Sequence, residues 1–267
     1  MAPLDQPAFD PRDAREFLNP YLSARRQWVC KWLAERVPHS GMPPLYKKGA
    51  PPHIFVASNN GQKAMFTELT GYTQEGLVKK WTEEGFRATT KEEREGNDLK
   101  YKGKAFVRVT GVGPGTTSCE ALVNKLFQKI TANGFGTRPA TGAQATSFNL
   151  GGLGKNGMAP ATARGWHWFS ERTAKVHPQP GDFFQVGVPQ RTPGQWGFRH
   201  VGVITGYVEG DNPSWETVEA GQGGPAAGYD YILRKPWRAV TPVDPKDTGK
   251  VVMGWLNIDE YFGDKPG

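Results

Sequence analysis

Residues 114–128 read Pro114-Gly115-Thr116-Thr117-Ser118-Cys119-Glu120-Ala121-Leu122-Val123-Asn124-Lys125-Leu126-Phe127-Gln128, and the rest of the chain is organised around them. A Gly/Pro-rich loop (Gly111, Gly113, Pro114, Gly115) stops a strand-like run, Ala105 to Thr110, and a helical pattern starts at once. Thr117 and Glu120 fit the S/T-x-x-E capping box, so Thr117 is the expected N-cap and Glu120 the third helical residue. That register places Cys119 in the first turn, among backbone N–H groups that have no partner within the helix. The positive end of the helix dipole favours a thiolate there, and thiolate is the nucleophilic form of cysteine. Leu122, Val123, Leu126, Phe127 and Ile130 recur at i, i+3 and i+4, which buries one face of the helix and holds its start in place.

Two simpler readings compete. A lone cysteine is most often a small buried hydrophobe. The glycine loop also imitates a phosphate cradle. However, Gly111-Val112-Gly113-Pro114-Gly115 lacks the G-x-G-x-x-G spacing, has no Lys-Ser/Thr after it, and sits in no visible βαβ unit.

At 267 residues the chain is long enough to bury a substantial core. Its 34 glycines and 22 prolines point to loops and short strands rather than a helical bundle. Two cysteines, Cys30 and Cys119, make neither a disulfide framework nor a cysteine-rich zinc site. His39, His53, His167, His177 and His200 show no H-E-x-x-H spacing, so neither a metal nor a cofactor is expected. The net charge of +7 suits a polyanionic partner such as nucleic acid, an acidic protein or a bacterial envelope. The basic residues are scattered and interleave with aromatics in no recognised pattern, so nucleic-acid binding is not expected. No apolar run is long enough for a membrane span. The first residues carry no basic and apolar leader, so no ordinary signal peptide is expected.

Taken in order, residues 1–12 are Pro-rich and read as an extended arm. Arg12 to Val37 read as a long helix, and Cys30 within it, between Trp28 and Trp32, reads as structural. His53 to Val56 read as a short strand, Asn59 to Gly71 as a helix, and Thr73 as the cap of another helix running through Trp81. Lys91 to Gly103 is a charged stretch read as a surface loop. It is also the expected boundary between an N-terminal helical region of unknown role (1–100) and a second domain (101–267). Ala132 to Gly165 is a Gly/Ala/Thr/Pro tract without core periodicity, read either as a cover over a groove or as a surface insertion. Trp166-His167-Trp168-Phe169 reads as core or groove wall. Beyond Pro178 strands are expected at Phe183–Val188, His200–Gly206, Trp215–Ala220, Tyr231–Arg234 and Val251–Leu256, separated by turn signals. One helix ahead of an antiparallel sheet is an α+β arrangement.

Cys119 heads the helix, His200 opens a strand, and a polar cluster follows at Glu216, Glu219 and Gln222. Four pieces resemble NlpC-type and CHAP-type cell-wall peptidases and amidases: Thr117-Ser-Cys-Glu-Ala-Leu-Val123, Pro178-Gln-Pro-Gly-Asp-Phe-Phe184, His200-Val-Gly-Val-Ile-Thr-Gly206 and Thr217-Val-Glu-Ala-Gly-Gln-Gly223. The resemblance spans roughly Ala105 to Phe262 and implies a papain-like core, the nucleophile helix packed on the antiparallel sheet, with the helical region before it as an extension.

The resemblance implies that Cys119 attacks an amide carbonyl as thiolate, with its backbone N–H among the oxyanion donors. It implies that His200 takes the thiol proton and returns it to the leaving amine. Glu219 is the chosen third member, because it directly precedes the Ala220-Gly-Gln-Gly223 turn. Gln222 is the reserve, as third member or oxyanion donor, and Glu216 is the alternative on the opposite strand face. Asp182 belongs to a turn that recurs in the family and reads as structural. The commonest NlpC pattern has Asp before the cysteine and His as third residue. Ser118 and Glu219 stand there instead, which favours a CHAP-like or divergent subfamily.

The function implied is a cysteine-dependent peptidoglycan amidase or endopeptidase acting on the stem peptide. Delivery by a phage or a contact-dependent secretion machine would bring it to the bacterial envelope. A tight inhibitor protein in the producing cell is expected by analogy with delivered toxins. Two alternatives stand beside it: a deamidase or protease acting on a protein target, and a non-catalytic module that binds wall fragments.

Overall fold

In the computed structural model the described residues are 22–37, 60–113, 115–135, 165–189, 196–208, 213–239 and 251–262. The arm at 1–12, the start of the first helix before Leu22, the strand at 53–56 and positions 136–164 of the Gly-rich tract lie outside them.

The helix that begins at Cys119 forms as its periodicity predicts. This helix, α5 (Cys119–Ala132), buries Leu122, Val123, Leu126, Phe127 and Ile130 completely or nearly so. Burying each such side chain is worth about 1.5–3 kcal/mol relative to exposure. The helix stops in a Schellman motif. Gly134 takes a left-handed φ of 74°, its N–H donates to the Thr131 carbonyl at 3.1 Å, and Phe135 N–H donates to the Ile130 carbonyl at 3.1 Å. Phe135 then stacks on Trp28, with ring centroids 5.5 Å apart.

Trp28 belongs to α1 (Ala24–Arg36), which Ser23 caps by accepting a hydrogen bond from Arg26 N–H. Two further helices follow, α2 (Asn60–Thr70) and α3 (Gln74–Glu83), the second capped by Thr73 as expected. The charged stretch after Gly85 is not a plain loop. Strand β1 (Phe86–Ala88), helix α4 (Lys91–Glu95) and strand β2 (Phe106–Arg108) occupy it, and β1 and β2 pair antiparallel as a small separate sheet. Thr90 and Glu93 make a complete capping box for α4, a local signal strong enough to start a helix in a highly charged segment. The strand-like run expected at Ala105 to Thr110 is the short β2, which lies outside the main sheet.

The main sheet has six strands: β3 (Trp166–Trp168), β4 (Phe183–Pro189), β5 (Trp196–Val208), β6 (Ser214–Glu219), β7 (Leu233–Ala239) and β8 (Val251–Leu256). Their spatial order is β3-β8-β4-β5-β6-β7, and every pairing is antiparallel. The expected strands at 183, 200, 215 and 251 all appear, but the second begins earlier, at Trp196, so His200 lies within it rather than opening it. The one expected at 231–234 starts later, at Leu233, and the aromatic cluster at 166–168 is an edge strand. A short helix, α6 (Ile258–Phe262), follows β8. The architecture is α+β, with helices packed against an antiparallel sheet.

Alternation along the strands divides the core. One face of the sheet supplies Phe183, Val201, Val203, Val218 and Leu256 to a cluster shared with α5. Val29, Trp32 and Leu33 of α1, Phe66 and Leu69 of α2, and Leu77 and Trp81 of α3 belong to that same cluster, so apolar packing is continuous across position 100. The other face carries a smaller cluster of Phe169, Phe184, Ile204, Trp215 and Trp255. Among the described residues no helix is long and apolar enough to cross a membrane.

Candidate active site

The turn into α5 is held from three directions before any reactive group is considered. Glu84, just past α3, accepts from Thr116 N–H at 2.8 Å and also from the Thr116 hydroxyl, while Trp81 Nε1–H donates to the Thr116 carbonyl at 2.7 Å. Asp230 accepts from Ser118 N–H at 2.7 Å, Gly223 N–H at 3.2 Å and Tyr231 N–H at 2.8 Å. The Gln74 side chain in turn clasps the Asp230 backbone, donating to its carbonyl at 2.7 Å and accepting from its N–H at 3.0 Å. The buried Asp230 carboxylate thus joins the turn into α5 to the loop after β6.

The capping box expected at Thr117 and Glu120 does not form. Ser118 is the N-cap, its side chain caps nothing, and Cys119 is the first helical residue. The reason lies across the chain: Ser118 Oγ accepts from Gly221 N–H at 3.2 Å, and the Thr117 hydroxyl donates to Cys119 Sγ at 3.6 Å. Gly221 is required here. Its φ is 72°, and a Cβ at this position would lie 2.9 Å from both the Cys119 Cβ and the Cys119 backbone nitrogen. The Cys119 side chain is buried, but it borders a cleft of about 680 Å³ whose lining includes Thr116, Thr117, Tyr72 and Lys80.

His200 lies on β5 with a side chain 19% exposed, and Glu219 lies fully buried at the end of the neighbouring strand β6. His200 Nε2 and Glu219 Oε2 are 2.8 Å apart. The remaining space around the carboxylate is filled by donors. Thr217 Oγ1 donates to Oε1 at 2.6 Å, Gln222 Nε2 donates to Oε2 at 3.2 Å, and the Lys235 ammonium pairs with Oε2. The facing strand leaves room for it, because a Cβ on Gly202 would lie 2.9 Å from Glu219 Cγ.

Burial works against a charged His200 ring, but hydrogen bonding with Cys119 and Glu219, and the charges of both, override it and raise its pKa to about 9. With Nε2 committed to Glu219, Nδ1 is the ring nitrogen left for the Cys119 thiol proton. The arrangement can form a thiolate–imidazolium pair whose cation is backed by a buried carboxylate.

The other sequence candidates separate. Gln222 reaches the same group: its Nε2 also lies 3.1 Å from His200 Nε2 and donates to the Ala220 carbonyl at 3.3 Å. Since Nε2 donates its proton to Glu219, the Gln222 contact is that of a neighbour sharing the carboxylate. Glu216 is directed elsewhere, accepting from Thr205 Oγ1 at 2.8 Å and pairing with Arg234 at 2.9 Å. Asp182 is buried beneath the 178–182 turn, where it pairs with Arg26 at 2.8 Å and accepts from Gln179 N–H and Ile258 N–H. Cys30 is buried in α1, away from any helix start.

Asp230, Lys235 and Glu84 escaped sequence reasoning. Lys235 sits opposite Thr217 in the β6–β7 register, so its approach to Glu219 exists only once that pairing is known. The only local signal was a lysine continuing a strand-like run, which the expected strand end at Arg234 excluded. Among the described residues no group of three His, Cys, Asp or Glu side chains is placed to hold a metal ion. In comparison with known proteins, no family model matches the chain, and neither a curated protein nor a solved structure matches it.

Proposed function

We propose that this chain is a cysteine-dependent amide hydrolase with Cys119 as nucleophile, His200 as acid–base and Glu219 as the group that orients the ring. The observation that carries this reading is the buried Glu219 carboxylate 2.8 Å from His200 Nε2, on the ring edge left over when the thiol takes the other nitrogen. In the reaction the Cys119 sulfur adds to an amide carbonyl. The proton held by His200 passes to the leaving amine, and the C–N bond breaks to leave a thioester. Water, deprotonated by the now neutral His200, then attacks the thioester, and the thiolate leaves. The backbone N–H of Cys119, in the first turn of α5, serves as an oxyanion donor.

The substrate we propose is the peptide of bacterial peptidoglycan, on a papain-like core of the NlpC or CHAP kind. The four motifs around Cys119, Asp182, His200 and Glu219 support it, as does the net charge of +7, which suits an anionic envelope. The test is incubation of the purified protein and of a Cys119→Ala variant with peptidoglycan, followed by mass spectrometry of the soluble fragments. Fragments carrying a new amine and a new carboxylate, released by the wild type alone, are the expected result. Wild type and variant releasing the same material would contradict the proposal. Cleavage or deamidation of a protein with no action on the wall would move the same chemistry to a protein target.

A further inference from the structure

We propose that the cleft beside Cys119 is a subsite for a carboxylate carried on the substrate, engaged by Lys80 of α3 and Lys125 of α5. This rests on the reading of Cys119 as the nucleophile. The cleft runs from the α2–α3 connection to the solvent side of α5, with Cys119, Lys80, Asn124 and Lys125 in its lining. Burial of the apolar face of α5 leaves the Asn124 and Lys125 side of the helix toward this space. Neither lysine makes an ion pair among the described residues, whereas Lys63 of α2 and Lys79 of α3 do, with Glu75 and Glu83. Lys80 lies over the Tyr72 ring at 5.6 Å, a contact that steadies the ammonium without neutralising it. Glu120 is the one acidic side chain in the described lining, against two ammonium groups.

The probes are two near-isosteric electrophiles, chloroacetyl-Glu-NH2 and chloroacetyl-Gln-NH2, which differ in one carboxylate. Both are reacted with the full chain, and alkylation of Cys119 is followed by mass spectrometry. The same is done for Lys80→Gln, Lys125→Gln and the double variant. Wild type should react roughly threefold to tenfold faster with the Glu probe, the size of effect that one or two solvent-facing charge pairs give. The preference should vanish in the double variant and fade in about 1 M salt, where screening extends over only about 3 Å. The Gln probe is the reference within each variant, so the preference is read as the ratio of the two rates. Equal rates for the two probes on wild type, or a preference that survives in the double variant, would overturn the proposal. If neither probe alkylates Cys119 faster than it alkylates glutathione, the reading of Cys119 as the nucleophile fails, and the subsite fails with it.

Discussion

His200 Nε2 and Glu219 Oε2 stand 2.8 Å apart, joining a largely buried imidazole to a carboxylate that is fully buried. A buried carboxylate is costly unless its oxygens are occupied, and Thr217, Gln222 and Lys235 occupy them. Glu219 is therefore fixed in place and His200 is fixed by it. Replacing Glu219 by Gln keeps the shape, loses the charge and permits the wrong tautomer. Turnover should fall by roughly 10²-fold to 10⁴-fold, judged from the Ser-His-Asp precedent.

Glu216→Gln should behave oppositely. It leaves Arg234 buried with weakened compensation, so stability should drop by about 3–5 kcal/mol while turnover per folded molecule holds. Steady-state kinetics and urea unfolding on both variants check the pair. Loss of turnover in Glu216→Gln with near-normal Glu219→Gln would show the wrong carboxylate had been assigned.

The two cysteines should differ sharply. Cys119 borders a cleft and its thiol interacts with the His200 ring, whereas Cys30 is packed within α1. Iodoacetamide at pH 7 should modify Cys119 in the native protein and Cys30 only after denaturation, as read by peptide mapping. Equal labelling of both in the native state counts against the assignment.

Stability should depend on pH through His200. Its pKa is raised in the folded chain to about 9, from an ordinary value of 6.5, so the charged ring favours the folded state. That contribution is complete below pH 6.5 and is lost as pH rises through 9, and it amounts to on the order of 3 kcal/mol. Urea unfolding at pH 6 and pH 9.5 should show wild type losing more stability than His200→Gln over this interval. Parallel losses in the two proteins would remove the linkage.

The Asp230 clamp gives a separate prediction. Asp230→Ala strips acceptors from the N–H groups of Ser118, Gly223 and Tyr231, at about 1–3 kcal/mol for each one left buried and unpaired. The melting temperature should fall, and Cys119 alkylation in the still-folded protein should slow, because the turn that presents it is released. An unchanged alkylation rate would make the clamp purely structural.

Much of this was legible along the chain because it is locally encoded. The i, i+3, i+4 spacing from Leu122 to Ile130 specified the buried face of α5, and apolar runs between turn signals specified β4, β5, β6 and β8. That His200 would face the strand after it followed from position, since consecutive antiparallel strands lie side by side, but which of Glu219 and Glu216 it meets depends on the strand face and came only with the structure. What escaped was non-local. The side-chain cap expected from Thr117 is absent because its hydroxyl turns to Cys119 Sγ, and the Ser118 hydroxyl is engaged by the N–H of Gly221, about a hundred residues later. Lys235 and Asp230 reach the site through strand register and a loop closure that no local pattern announces. The α4 helix was different: its capping residues Thr90 and Glu93 were in plain view, but the surrounding charge suggested a loop.

The central claim is that Cys119 and His200 act as one coupled pair backed by Glu219, and the most direct measurement is an NMR titration of the His200 ring. In wild type the ring should titrate near 9. In Cys119→Ala, which removes one of its stabilising partners, the pKa should fall by about a unit or more. A His200 titration near its ordinary value, unmoved by loss of the thiol, would contradict the account.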